Sequence, residues 1–416
     1  MKEIYIKKLI LEKVRNLEYK EIPLSGEKRK HLIITGKNGS GKTTILDALA
    51  VTLDLLALTD NQPQIDTNLD FEEGIPDILT EWLKEMDQRR INRLVRYDKG
   101  LAHLTQKVEI ECNDSLKAFS AAYKNGELIT AYYKAERVFL AEIPKHVEKV
   151  ELKDSYRTME SPRKNFVKYL LDLKVTQALA ISNGKKDKAA QIEAWFTKLE
   201  ALLKKIFENN QLTLEFDEES YKFYICEPQK ERYDFNTLSS GYAAIMDIVG
   251  DLMLRMEKHT GRRFQYDLPG IVLIDEIETH LHLELQKNIL ELLTTVFPKI
   301  QFIVTTHSPF ILNSLPDVVI YDLDQKTLVE HGLADVPYEG IVEGYFGANT
   351  MSDQLKKKFD QYKELTSKKN LTDDDFAEIA ELEMYLDEIP DYLALGITTE
   401  YQKMKLDFAN REDLNG

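Results

Sequence analysis

Apolar positions along the chain fall into three patterns. Short, nearly uninterrupted apolar runs recur at HLIIT (31–35), GIVLIDE (270–276), QFIVTTHS (301–308) and DVVIYDLD (317–324), and each predicts a buried strand. EIYIKKLILEKV (3–14) alternates apolar and polar residues, as a strand with one wet face does. QKVEIEC (106–112), ELITAYYKAERVF (127–139) and the pair LTLEFD (212–217) and KFYICE (222–227) are also strand-like. Helical spacing marks 43–58, 76–97, 237–258 and 282–297. Two further helical stretches, 162–183 and 187–208, carry the stripes Phe166, Leu170, Leu173 and Trp195, Leu199, Leu202, Ile206. The short connection NGKKDK between them predicts an antiparallel helical hairpin. Residues 59–75 read as a polar loop, and beyond about 343 two charged helices, 352–370 and 373–393, follow with no strand between them.

Composition narrows the classes. The chain has 416 residues, 43% of them hydrophobic, enough for a sizeable core. A formal net charge of −16 gives no general attraction to nucleic acid or anionic membrane. The densest basic run, Arg89, Arg90, Arg93, Arg96 and Lys99, reads as a solvated helix face, with DNA-backbone or partner contact as the alternative. Cys112 and Cys226 read as free thiols, and no CxxC pair is present for a zinc site. The N-terminus is too charged for a signal peptide and no run approaches the roughly 20 apolar residues of a membrane span, so a cytoplasmic location is expected.

Four segments carry candidate chemistry. Gly36-Lys37-Asn38-Gly39-Ser40-Gly41-Lys42-Thr43, followed by Thr44, fits G-x-x-x-x-G-K-[ST] between a strand and a helix. Glycines let backbone N–H groups wrap phosphates, Lys42 reaches the β/γ oxygens, and the Thr43 hydroxyl ligates Mg²⁺. The strand 270–276 ends in Asp275, which would meet Mg²⁺ through its water shell, and Glu276, which would polarise an attacking water as general base. His307 closes the strand about thirty residues later and would hydrogen-bond the γ-phosphate or that water. TLSSGYAAIMDIVGDLM opens a helix at Leu238-Ser239-Ser240-Gly241-Tyr242, where Ser239, Ser240 and the Gly241 N–H are placed to grip a phosphate.

In that order, these segments resemble an ABC-type AAA ATPase. The EIETHLH after the acidic strand, VTTHSPFIL, and a first strand leading into VRNLEY resemble the Rad50, SMC, RecF and OLD branch. More narrowly, the short insert and acidic helical tail are similar to the stand-alone ATPases of bacterial anti-phage systems of Septu and PARIS type. The resemblance covers about 1–340. It implies an α/β fold: a P-loop sheet with flanking helices and an antiparallel β subdomain. It divides the chain into an N-terminal lobe (1–150), a hairpin insert (151–210), a C-terminal lobe (211–342) and an acidic helical tail (343–416).

The resemblance also implies a mechanism. Two heads close head to tail, as a dimer or a higher oligomer of dimers. ATP and Mg²⁺ held at Lys42 and Thr43 of one head are capped by Ser239 and Gly241 of the other, with Glu278–His282 at the seam. Hydrolysis through Glu276, with His307, releases the pair. Relatives of this type control a separately encoded effector, often a nuclease.

Departures are Ser240 and Tyr242, where the usual LSGGQ has glycine and glutamine, and a Q-loop glutamine that is not identifiable. Arg15 and Arg137 are each read either as nucleotide or interface contacts or as structural charges. His280 and His282 belong to the seam segment rather than to a metal site. A hairpin of about 22 residues per helix spans only about 33 Å, which excludes chromosome-scale bridging.

OLD proteins carry a nuclease domain after the ATPase. About 75 residues follow position 340 here and they read as helices, so no intrinsic nuclease is expected. The acidic clusters Asp373–Asp375 and Glu378 to Asp391 are expected to dock a partner or mediate assembly, with solvated helices that bind no partner as the alternative. The alternatives are a RecF- or Rad50-like DNA repair ATPase, a transporter motor, or a scaffold that binds ATP without turnover.

Overall fold

The computed structural model describes residues 3–12, 19–58, 108–144, 146–345, 353–388 and 395–411. The helix expected over 76–97, with its basic run, and Arg15 lie outside these residues. The chain divides into two compact units, Met1–Val336 and Pro337–Gly416, a few residues ahead of the boundary expected at 342.

The strands of the first unit are β1 (Ile6–Leu11), β2 (Lys20–Pro23), β3 (His31–Thr35), β4 (Val108–Cys112), β5 (Ile129–Tyr133), β6 (Thr213–Asp217), β7 (Lys222–Cys226), β8 (Tyr233–Asp234), β9 (Gly270–Ile274), β10 (Ile300–Thr305), β11 (Val318–Asp322) and β12 (Thr327–Val329). Its longer helices are α1 (Lys42–Leu58), α2 (Leu116–Lys124), α3 (Phe166–Ser182), α4 (Lys186–Ile206), α5 (Ser240–Thr260) and α6 (Leu283–Val296).

Apolar runs without a wet face need cover on both sides, which is how strands of a parallel sheet are used. They form one six-stranded sheet in the order β12-β11-β3-β10-β9-β5, parallel except where β12 pairs with β11. Every residue of β5, β9, β10 and β11 is buried. The alternating strand β1 instead joins β2 and β4 in a small antiparallel sheet. Helix α1 shares one apolar core with both sheets, where Ile45, Leu49 and Leu53 meet Ile6 and Leu9 of β1 and Leu273 and Ile303 of the large sheet. Gln301, fully buried in β10, ties the two sheets together. Its side-chain oxygen accepts from the Ile6 N–H at 2.7 Å, and its amide nitrogen donates to Ile6 and Lys30 carbonyls at 2.9 and 2.8 Å.

Helices α3 and α4 form the hairpin. Phe166, Leu170 and Leu173 are fully buried on one, and Trp195, Leu199, Leu202 and Ile206 are buried on the other. The strand expected over 127–139 stops at Tyr133, where its partner β9 also ends, and the next residues turn to bury Arg137. Helix α2 was not expected, because nine residues with Phe119 and Tyr123 as inward anchors give too short a periodic signal. Among the described residues, no helix is long and apolar enough to cross a membrane.

The second unit contains α7 (Asp353–Ser367), α8 (Asp373–Asp387) and α9 (Leu395–Ala409) around Phe359, Tyr362, Ile379, Leu382, Leu386 and Tyr401. Some of its acids serve the unit itself. Asp375 caps α8 with Thr372 and pairs with Lys368, which together lower its carboxyl to about 2. Asp387 accepts from the Tyr401 hydroxyl at 2.8 Å.

Candidate functional site

The large sheet aligns the C-terminal ends of β3, β10 and β9, the usual binding edge of an open parallel sheet. Past β3 the chain turns at Gly36 (φ +136°), where a Cβ would stand 3.1 Å from Ser40 Oγ and 3.3 Å from the Asp324 nitrogen. Gly39 and Gly41 continue the loop at φ +81° and +103°, a backbone that side chains disfavour. Lys37, Asn38 and Gly39 are exposed, Thr43 is exposed on the first turn of α1, and Thr44 is buried. The Lys42 ammonium folds back onto the carbonyls of Gly36 at 2.9 Å and Lys37 at 3.1 Å. Burial lowers its pKa, and Glu276 and Asp275 act in the opposite direction. Ser40 Oγ is buried without a hydrogen-bond partner. A loop of turned-in N–H groups, an unpaired hydroxyl and a parked ammonium fit a phosphate chain.

The acidic strand meets this loop through its neighbour. Thr305 Oγ1 donates to Asp275 Oδ1 at 2.6 Å and accepts from the Glu276 N–H at 2.7 Å. Among the described residues, Asp275 Oδ2 takes no protein hydrogen bond, and with the Thr43 hydroxyl it is the donor set a hard divalent ion would use. Glu276 sits at φ +45°, a left-handed backbone that a glutamate adopts only under constraint, and its Oε2 accepts from Thr279 Oγ1 at 3.3 Å. The backbone N–H of His307 donates to Glu278 Oε1 at 2.6 Å. Burial and the nearby Lys42 charge hold the His307 imidazole below its ordinary pKa, so it is neutral at physiological pH. Thus Lys42, Asp275, Glu276 and His307 share one edge and act on one another electrostatically.

The LSSGY segment is set against the Glu278–His282 turn. Gly241 is buried there, and an added Cβ would lie 3.0 Å from the His280 carbonyl oxygen. Glycine fits this close approach without displacing the turn, whatever it does for a phosphate. Ser239 and Ser240 are exposed, and the Ser239 hydroxyl caps none of the N–H groups of α5. Tyr242, in the glutamine position, stacks on Phe207 at the end of α4 with centroids 4.2 Å apart.

Three residues take contacts in three dimensions that the sequence does not specify. Thr305 is one more β-branched residue of an apolar strand by sequence. Glu278 holds the His307 backbone, a contact across 29 positions. Arg137, 2% exposed, donates to the carbonyls of Asp275, Glu276 and Ile277 at 2.7, 2.9 and 3.1 Å.

Known proteins share these segments. A family profile described as "AAA domain, putative AbiEii toxin, Type IV TA system" matches residues 237–313. The Septu protein PtuA of Bacillus mycoides (strain KBAB4) is 26% identical over 417 residues, covering 97% of this chain and 53% of that protein. The retron Vc95 probable ATPase of Vibrio cholerae serotype O1 biovar El Tor is 25% identical, covering 77% of this chain and 75% of that protein. The retron Ec83 probable ATPase of Escherichia coli is 32% identical over 33% of this chain and 26% of that protein. The chain thus spans about half the length of the PtuA relative and a smaller share of the Ec83 one. An SMC head bound to the C-winged helix domain of ScpA aligns over 80% of this chain and all of that one at 14% identity and a TM-score of 0.39, too slight to add to the strand order. The motifs ranged in order along one parallel sheet thus belong to a chain similar to Septu PtuA and to the probable ATPases of retrons.

Proposed function

We propose that the chain binds ATP with Mg²⁺ and hydrolyses it as a nucleotide-controlled switch in an anti-phage defence system, governing a separately encoded effector of nuclease type. Two copies would close head to tail, so that Ser239, Ser240 and Gly241 of one complete the triphosphate site of the other. In each copy the P-loop N–H groups, Ser40 and Lys42 would bind and orient the phosphates, and Asp275 and Thr43 would hold an ion, whose charge would neutralise that of the phosphates. Glu276 takes a proton from the attacking water at its carboxylate, and neutral His307 orients that water or the γ-phosphate. The effector and the defence role rest on the Septu and retron relatives.

One observation carries the switch reading: α5 begins with exposed Ser239 and Ser240, and the Ser239 hydroxyl leaves the first N–H groups of its own helix uncapped. A helix start of that kind is a ready anion site that faces outward. Light scattering of the Glu276→Gln protein tests it. ATP should convert monomer to dimer or larger, turnover should fall by about a hundredfold or more, and Ser239→Arg should abolish the association. No ATP-dependent change in mass would refute the reading.

A further inference from the structure

We propose that Arg137 is a positioning residue for the turn bearing Glu276, holding Asp275, Glu276, Ile277 and Thr279 by their backbone carbonyls. The proposal rests on the reading of Glu276 as general base.

The guanidinium is almost wholly buried and fans over one short stretch of chain. One terminal nitrogen donates to Lys134 O at 3.1 Å and Asp275 O at 2.7 Å. The other donates to Glu276 O at 2.9 Å, Ile277 O at 3.1 Å and, more distantly, Thr279 O at 3.4 Å. That stretch needs holding. Glu276 and His280 stand at φ +45° and +70°, conformations a non-glycine residue keeps only when its surroundings over-determine them. A carboxylate meant to take a proton from a water must be fixed within a fraction of an ångström. Side-chain contacts to Glu276 are sparse: among the described residues its carboxylate accepts only the Thr279 hydroxyl. The Arg137 fork, acting on the backbone, supplies the missing constraint.

Arg137 Nε is buried without a hydrogen bond; burial lowers the guanidinium's pKa, and the charge of buried Asp247 on α5 acts in the opposite direction. Asp247 is also gripped by Arg163, just before α3, at 2.7 Å through Nε and 2.8 Å through Nη1. One turn along α5, Asp251 pairs with Arg255 at 2.6 Å and accepts from the Tyr133 hydroxyl at 2.7 Å. Arg163 and Asp247 therefore join the root of the hairpin to the helix that begins at LSSGY. Lysine cannot reproduce what Arg137 does over the turn, because a compact ammonium has no planar fork.

The test uses the full chain with Arg137→Met and Arg137→Lys. Nucleotide-free amide exchange is followed at Ile277, Thr279 and Leu281, whose N–H groups donate to Thr305 O, Glu276 O and Glu278 O at 3.1, 2.9 and 2.9 Å. In Arg137→Met these amides should exchange about tenfold faster or more while those of β3 and β10 keep their protection. The kcat for ATP should fall about tenfold or more with KM held within about twofold. Arg137→Lys should fall between Met and wild type, and it decides the matter if Met does not fold. Wild-type exchange at the three amides, equal loss of protection in β3 and β10, or kcat and KM falling together would each overturn the proposal. If the wild-type chain shows no turnover, the general-base reading fails, and the exchange data still decide whether Arg137 holds the turn.

Discussion

Thr305 and Asp275, neighbours across the β10–β9 pair, share a 2.6 Å hydrogen bond, and the same hydroxyl accepts the Glu276 N–H at 2.7 Å. One buried oxygen thus fixes both acids of the site. Thr305→Val keeps the shape and leaves two buried polar groups without a partner, each costing about 1–3 kcal/mol. Urea unfolding should show a loss in that range and ATP turnover should drop, with both restored in Thr305→Ser. A valine variant as stable and active as the parent would contradict this arrangement.

At Gly241 a single methyl group would stand 3.0 Å from the His280 carbonyl, closer than a side chain and a backbone oxygen rest. Gly241→Ala is expected to cost about 1–3 kcal/mol by overpacking. It should also displace the Glu278–His282 turn, so ATP-driven association should weaken more than ATP binding does. Thermal unfolding and light scattering, read on the same protein, separate the two effects.

Ser40 predicts the opposite balance. Its hydroxyl is buried and unpaired without nucleotide, so Ser40→Ala removes no protein hydrogen bond. Stability of the nucleotide-free chain should stay level or rise slightly. The added stability conferred by saturating ATP should shrink, and differential scanning fluorimetry with and without ATP would detect it. A large loss in the nucleotide-free protein would show that the hydroxyl has a structural role.

His31 gives the first unit an acid limit. Its Nδ1 accepts the Phe302 N–H at 3.1 Å, which a doubly protonated ring cannot do, and burial pushes its pKa down to about 4. The unfolded chain takes up this proton near pH 6.5 and the folded one only near 4, so the unfolded state binds more protons in that window. Stability therefore falls as pH drops from about 6.5 to 4, by up to about 3 kcal/mol. His31→Gln should flatten the profile between those limits, and an unchanged slope would assign the acid sensitivity elsewhere.

Much of the fold is legible because the buried strands are written as unbroken apolar runs. The runs at 31–35, 270–276, 301–308 and 317–324 become neighbouring strands of one sheet. The glycine loop and the strand-end acids could be located for the same reason, since a motif between a strand and a helix needs only local sequence. Contacts that depend on the tertiary fold were not legible. Arg137 reaches carbonyls 138 to 142 positions away, and no periodicity reports that. Asp247, Asp251 and Arg255 look like a wet stripe of α5, yet the hairpin root and β5 cover them. The close approach of Gly241 to the His280 carbonyl, about forty residues away, is likewise invisible in the LSSGY motif.

Gln301 lies four positions ahead of Thr305 on one strand, and its amide grips both backbone groups of Ile6. The outer antiparallel sheet and the strand that ends at Thr305 are consequently fastened like a handle and its blade. Force applied to the handle, by a docking molecule or by mechanical load, would be passed through Gln301 toward the edge that carries Thr305.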